Sequence, residues 1–402
     1  TDTAADTFQP DYIVVGSGSS GATLAARLAE DPGVSVLVLE AGGSERRPIV
    51  SMPLAWFEAM RDPSLNWGYM SQPEPFADDR RIPVPRGKVV GGCASINGMM
   101  YSRGVAADYD QWAQMGARGW SHAEVLPYFR RSEAYWGGAN AWHGGEGPIS
   151  VSRHRRDGTV YPALIAAAEA MGYRHLDDFN GATDEGFSAP DFTVHKGRRA
   201  SPAARMLRPA LVQHRNIELR AEALVHRIML HEGRATGVVF ERGGEMHEVE
   251  ARREVLLSAG TINSPQLLML SGIGPAAHLA EHGIPVAVDL PGVGQNLQDH
   301  ASIGIMLAAS GPFTFDHELR ADRFALSLLR WQLFGAGVAG DLPVGAQGFV
   351  RTREGLDRPD LQILASPVAM DAKIWFPGWR KRRGDFFSIS NVLLHPESRG
   401  SI

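Results

Sequence analysis

The sequence predicts an α/β fold with α+β elements, one part wound on a buried parallel sheet and a second built on an antiparallel sheet. Two observations predict the first part. Tyr12-Ile13-Val14-Val15 is a short apolar run that ends in glycines, as a strand buried on both faces should. Helical periodicity follows from Ser20 to Glu30, and Ser35 to Glu40 (SVLVLE) is a second buried run. Strand, turn, helix and strand thus fit the size of one βαβ unit, about thirty residues. A third observation predicts the antiparallel component. Runs at 217–220, 224–230, 235–241, 246–251 and 254–258 are rich in Val, Leu and Ile and broken by polar turns such as Glu241-Arg242-Gly243-Gly244. They read as a β-meander returning into a buried strand that ends at Ala259-Gly260.

Between these elements, Asn66 to Asn97 is rich in proline and glycine and reads as extended loop. Helices are predicted at Asp108–Met115, Glu124–Ser132, Pro162–Met171 and Pro202–Leu211, the third with proline in its first turn. Ser264-Pro265 is expected to open a helix that Gly272 closes, and another is expected from Leu319 to Phe334.

Composition narrows the function classes. With 402 residues and 44% hydrophobic content, the chain can bury the cores of two packed domains. A net charge of −5 without a long basic run argues against nucleic acid as partner. Cys93 is the single cysteine, which excludes an intrachain disulfide and any multi-cysteine metal site, and fits a cytoplasmic setting. No HExxH spacing occurs, so no metal site is expected. Thr1 to Pro10 is polar and acidic, unlike a signal peptide, and Ala325 to Gly340 is too short and too polar for a transmembrane segment.

The first glycine turn carries chemistry. Gly16-Ser17-Gly18-Ser19-Ser20-Gly21 has GxGxxG spacing at the junction of strand and helix. Gly16 suits the tight turn, Gly18 lets a diphosphate touch backbone, and Gly21 allows close packing of helix on strand. The helix N-terminus, with Ser19 and Ser20 in its first turn, offers unpaired N–H groups to phosphate. Glu40, with Ala41 beside it, ends the second strand nineteen residues beyond Gly21, where a carboxylate meets ribose hydroxyls and disfavours a 2′-phosphate. These are the marks of a Rossmann-like dinucleotide site. They do not separate FAD from NAD.

Two further segments bear on that choice: Gly87-Lys88-Val89-Val90-Gly91-Gly92-Cys93-Ala94-Ser95-Ile96-Asn97-Gly98-Met99-Met100-Tyr101 and Gly260-Thr261-Ile262-Asn263-Ser264-Pro265-Gln266-Leu267-Leu268-Met269-Leu270-Ser271-Gly272-Ile273-Gly274. With the N-terminal GSGSSG and Glu40, they resemble the glucose–methanol–choline (GMC) oxidoreductases, and SINGMMYSRG resembles the choline dehydrogenase and alcohol-oxidising branch. Trp142-His143-Gly144-Gly145 and Gly292-Val293-Gly294-Gln295-Asn296-Leu297-Gln298-Asp299-His300 extend the likeness, which runs from about Asp11 to the last residue. Cys93-Ala94 departs from the commoner glycine or serine.

The resemblance implies FAD, with Gly91, Gly92, Asn97, Gly98 and Met99 beside the flavin, the backbone of Val225 beside the adenine, and Ala259 and Gly260 at a cofactor-facing strand end. Some relatives attach FAD through a histidine in the first segment. Ile96 stands at that position, so non-covalent FAD is expected. Cys93 is expected to be a buried small residue packed against cofactor.

The implied domains are a discontinuous FAD-binding domain (8–150 and 217–305) and a substrate-binding domain (151–216 and 306–402) incomplete at its C-terminus. The implied reaction is hydride transfer from a small alcohol to flavin, yielding an aldehyde, with oxygen or quinone as electron acceptor. A flavin-containing hydroxynitrile lyase or a binding-only flavoprotein is the alternative. Such oxidation needs a base for the hydroxyl proton, and histidine suits it. In the family that histidine follows the stretch resembled by His395-Pro396-Glu397-Ser398-Arg399-Gly400. The chain ends at Ile402, so truncation is expected and the catalytic residues stay unknown. Among the histidines present, His143 is expected to cap or bridge backbone, His300 to form a turn-stabilising pair with Asp299, and His395 to sit structurally at a strand edge. Trp331, Phe334, Trp375, Phe376 and Trp379 are candidates for a substrate pocket.

Overall fold

The computed structural model describes residues 8–153, 160–311 and 314–402. Thr1 to Thr7, the larger part of the polar opening segment, lie outside the described residues. A four-stranded sheet organises the first half. Its order is Ile217–Ala221, β2 (Val36–Glu40), β1 (Tyr12–Val15) and Glu254–Leu257, all parallel. Alternation of side chains sorts these strands into two cores. Val14, Val36 and Val38 face α1 (Ser19–Leu28) and the segment holding Ala203, Met206 and Leu207. Ile13, Val15, Leu37 and Leu39 face the other way, against Ile228, Val238, Phe240 and Leu267. Both strand faces are therefore dry, which is why β1 and β2 read as continuous apolar runs. α1 approaches closely because it presents Ala22, Ala25 and Ala26 to the sheet, and each buried valine or leucine opposite contributes about 1.5–3 kcal/mol.

The strand runs were legible, with one correction. The run at 217–220 is not part of the meander. Ile217–Ala221 pairs in parallel with β2, Ala221 opposite Glu40, while Ala223–His231, Arg234–Arg242 and Glu245–Glu250 form the antiparallel meander. Its partner lies nearly two hundred residues earlier, and local alternation carries no information about so distant a pairing. A second correction concerns the helix after Glu254–Leu257. It spans Gly260–Leu270, with Pro265 inside rather than at its start, because it springs directly from the strand end with Ala259 as its cap. The segment expected as a helix from Pro202 begins as a π-helical turn, Ala203–Leu207, and continues as Arg208–Gln213.

The second sheet is antiparallel and five-stranded, in the order Ala301–Ala308, Phe386–Leu393, Leu361–Ser366, Ala346–Val350, Gly186–Ser188. It thus draws strands from both 151–216 and the C-terminal hundred residues. No helix among the described residues is long and apolar enough to cross a membrane.

Candidate functional site

Parallel pairing brings the carboxyl ends of all four strands to one edge: Val15, Glu40, Ala221 and Leu257. In open α/β sheets ligands bind outside this edge. A cavity of about 740 Å³ lies there, within the usual range for cofactor sites of about 300–1,000 Å³. Its walls include Gly16, Gly18, Ser19, Ser20, Glu40 and Ala41 from the first unit, Val225 from the meander, and Ala259 and Gly260 from the last strand end. Gly92 and Cys93 close it from above.

The glycines divide into two kinds. Gly16 has φ +92°, where a side chain would be strained, and a Cβ on Gly21 would run into the Gly16 carbonyl. These two build the turn. A Cβ on Gly18 would meet nothing within 4 Å, so the fold leaves open space there. The bend thus provides a cradle at the N-terminus of α1, where N–H groups point outward and a diphosphate fits.

A polar clamp that the sequence did not suggest holds this cradle. Ser17 is fully buried. Its N–H and hydroxyl both donate to Glu40 Oε2, at 2.9 and 2.7 Å, and the Gly42 N–H donates to Oε1 at 2.9 Å. The Ser17 Oγ also accepts from the Gly91 N–H at 3.1 Å. One hydroxyl therefore ties the end of β2, the glycine bend and the 91–99 loop together. Burial raises the Glu40 carboxyl above the usual carboxylate range, opposed by the donors on Ser17 and Gly42. Oε2 already accepts twice, so it is Oε1, with one donor, that keeps lone-pair capacity for a further hydrogen bond.

The 91–99 loop folds over the cradle: a Cβ on Gly92 would lie 3.0 Å from Gly18 Cα. Of its sequence-selected residues only Gly92 lines the cavity. Gly91 is buried behind it. Asn97 is exposed beyond it, its Oδ1 accepting the Met99 N–H at 3.1 Å. Met99 is buried with φ +56°, packed among Phe192, Val194 and Leu342, and a Cβ on Gly98 would rest on Trp56. Cys93 is exposed toward the cavity it lines, on the wall where the expected packing against cofactor would fall, and its Sγ accepts from the Gly87 N–H at 3.4 Å. Ile96 is buried with Val50, Leu65 and Val89. Sequence reasoning also missed Trp67, Tyr69 and Arg86, which line the cavity from the loop at 66–97; only the proline and glycine content of that loop had been legible.

The five aromatics proposed for a substrate pocket are not brought together around this cavity. Trp331 is buried with its Nε1–H on the Gly197 carbonyl, Trp375 donates to the Asp316 carbonyl, and Phe334, Phe376 and Trp379 are exposed. Among the histidines, His143 needs the larger correction. It is fully buried, its ring flanked by Glu133 (2.9 Å from Nδ1) and Asp178 (3.0 Å from Nε2) and stacked on Tyr135 at 3.7 Å. Although burial opposes it, the two carboxylates raise its pKa to about 9. Arg103 completes the cluster, donating to Glu133 at 2.6 Å. A buried histidine between two carboxylates is an ion pair, which glycine neighbours in sequence do not foretell. The Asp299–His300 pair is joined only through the His300 N–H, at 2.8 Å, and His395 Nε2 lies 3.8 Å from Asp108.

A glycine cradle at the carboxyl edge of a parallel sheet, roofed by a second glycine loop, defines a protein that binds a dinucleotide cofactor. Comparison with known proteins narrows the class. The family profile described as GMC oxidoreductase matches residues 10–302. The chain is 45% identical over 397 residues to an oxygen-dependent choline dehydrogenase of Sinorhizobium fredii, covering 98% of this chain and 71% of that protein. It is 42% identical over 395 residues to the oxygen-dependent choline dehydrogenase of Brucella canis, with the same coverage. Among solved structures, pyridoxine 4-oxidase from Mesorbium loti superposes with a TM-score of 0.84 at 28% identity, over 98% of this chain and 73% of that one. A formate oxidase of Aspergillus oryzae gives 0.86 at 27%, over 98% and 74%. The chain belongs to the GMC oxidoreductase family. It is an FAD-dependent oxidoreductase, and the open cradle at Gly18 fits that cofactor.

Proposed function

We propose that this protein oxidises the CH–OH group of a small alcohol to the aldehyde, using FAD held without a covalent bond. When bound, FAD supplies the hydride acceptor. This chain's own residues bind and orient it. Gly18 leaves room for the diphosphate, the first turn of α1 offers N–H groups to it, Glu40 accepts from ribose hydroxyls, and the backbone around Val225 meets the adenine. The 91–99 loop lies along the flavin. Ile96, buried in an apolar cluster, offers no nucleophile to the ring, which favours dissociable cofactor. We assign 8–150 and 217–305 to cofactor binding and 151–216 with 306–402 to the substrate side. Oxygen or a quinone takes the electrons.

The observation that carries this reading is that one cavity is lined both by the GxGxxG bend and by Gly92 with Cys93. The relatives named as oxygen-dependent choline dehydrogenases make choline the first alcohol to try. The test is anaerobic titration of the purified yellow protein with choline and short primary alcohols. Bleaching of the visible flavin band with aldehyde formation is expected. A flavin that stays oxidised with every alcohol, while cyanohydrins are cleaved, overturns the oxidation in favour of a lyase.

A further inference from the structure

Arg199 is a buried cation without an anion. Its Nε–H donates to the Val50 carbonyl at 2.9 Å. Its Nη1 donates to the Ala94 carbonyl (3.1 Å), the Asn97 carbonyl (2.7 Å) and Asn97 Oδ1 (2.9 Å). Nη2 is buried with no hydrogen-bond partner, and no carboxylate lies within ion-pair reach among the described residues. Burial alone pushes the guanidinium down to about 9. Removing an unpaired charge from water is costly, and carbonyl dipoles offset only part of that cost. Holding two loop carbonyls and that of Val50 needs donors but no charge. What the guanidinium adds is a net positive charge behind the loop that roofs the cofactor cavity.

We infer that Arg199 is an electrostatic positioning residue: its uncompensated charge, fixed behind residues 94–97, favours the reduced state of the flavin. Adding a hydride, one proton with two electrons, to a neutral ring leaves one negative charge there. A fixed cation in a low-dielectric site stabilises that charge without reorganisation. The inference rests on the reading that the 91–99 loop lies along the flavin. It does not make Arg199 a group that touches substrate.

Sulfite is the probe, because it adds to oxidised flavin and leaves negative charge on the ring, so its affinity reports the local field without turnover. Arg199→Gln keeps amide donors for the carbonyls and loses the charge; Arg199→Lys keeps the charge. Sulfite should bind the Gln variant at least tenfold more weakly than wild type and the Lys variant within about threefold, with the midpoint potential falling in the same order. Equal sulfite affinity in all three, each carrying stoichiometric FAD, overturns the inference and leaves FAD binding intact. A wild-type protein that takes up no flavin overturns the underlying reading instead. Should neither Arg199 variant fold, Asn97→Asp puts a carboxylate in place of the amide oxygen 2.9 Å from Nη1. It should lower sulfite affinity at least tenfold, and unchanged affinity overturns the inference.

Discussion

Replacing Ser17 by alanine tests the clamp at its centre. The substitution removes one hydroxyl that donates to Glu40 at 2.7 Å and accepts from the Gly91 N–H at 3.1 Å. Glu40 keeps the N–H groups of Ser17 and Gly42, so its loss is one hydrogen bond to a charged acceptor, about 1.5–3 kcal/mol. The Gly91 N–H is stranded in a buried position, which costs about 1–3 kcal/mol. Because both groups relax into the same small space, the two do not add fully, and a total of about 2–4 kcal/mol is expected. The penalty should also depend on pH. Glu40 titrates above its unfolded value, so its protonation favours the fold at low pH, and that benefit is lost as pH rises through the folded pKa. Losing the hydroxyl, which lowers this pKa, pushes it higher still, and the penalty grows with pH. Urea denaturation of wild type and Ser17→Ala, flavin removed, at pH 5 and pH 8 gives both quantities. A loss below about 0.5 kcal/mol at pH 8, or a larger loss at pH 5, refutes the reasoning.

Gly18→Val should fold with near-normal stability, since nothing lies within 4 Å of its Cβ, yet fail to retain FAD; a yellow, stoichiometric variant would contradict the cradle. Gly21→Val, whose Cβ meets the Gly16 carbonyl, should fail at the level of folding, as circular dichroism would show. Glu40→Ala should weaken FAD binding by about 1–3 kcal/mol, read as a 5- to 150-fold higher Kd by fluorescence titration. His143 titrates near 9, above its unfolded 6.5, so its stabilisation is complete below about pH 6.5 and is lost as pH rises through 9. Solvent reaching Asp178, which is 24% exposed, screens the pair, so its contribution is about 1–2 kcal/mol. The stability gap between wild type and His143→Gln should shrink between pH 6.5 and 9.5, and a constant gap would disprove the ion pair.

Much of the fold was legible because its signals are local. β1 and β2 are dry on both faces and so spell unbroken apolar runs, and the meander announces each turn with glycine or charge. What failed was long-range. Whether 217–221 joins a meander or a parallel sheet depends on β2, and no feature of the run itself encodes that partner. The helix start at Gly260 was missed because Ala259 supplies no side-chain cap.

The site divides along the same line. GxGxxG is readable because each glycine answers a local demand, a turn at Gly16, close packing at Gly21, open space at Gly18. Ser17 and Arg199 answer non-local ones. Ser17 occupies an x of the motif, yet its hydroxyl links three segments spread over 74 residues, and serine is among the ordinary residues of turns. Arg199 follows another arginine in a polar stretch, where a solvated charge is the ordinary expectation; only the burial of its guanidinium among the carbonyls of Val50, Ala94 and Asn97 distinguishes it from Arg198, whose guanidinium lies over the Trp331 ring. The polar groups that hold a cofactor loop in place are therefore the part of a site that composition and spacing conceal. Their identity comes from counting donors against acceptors in the folded chain.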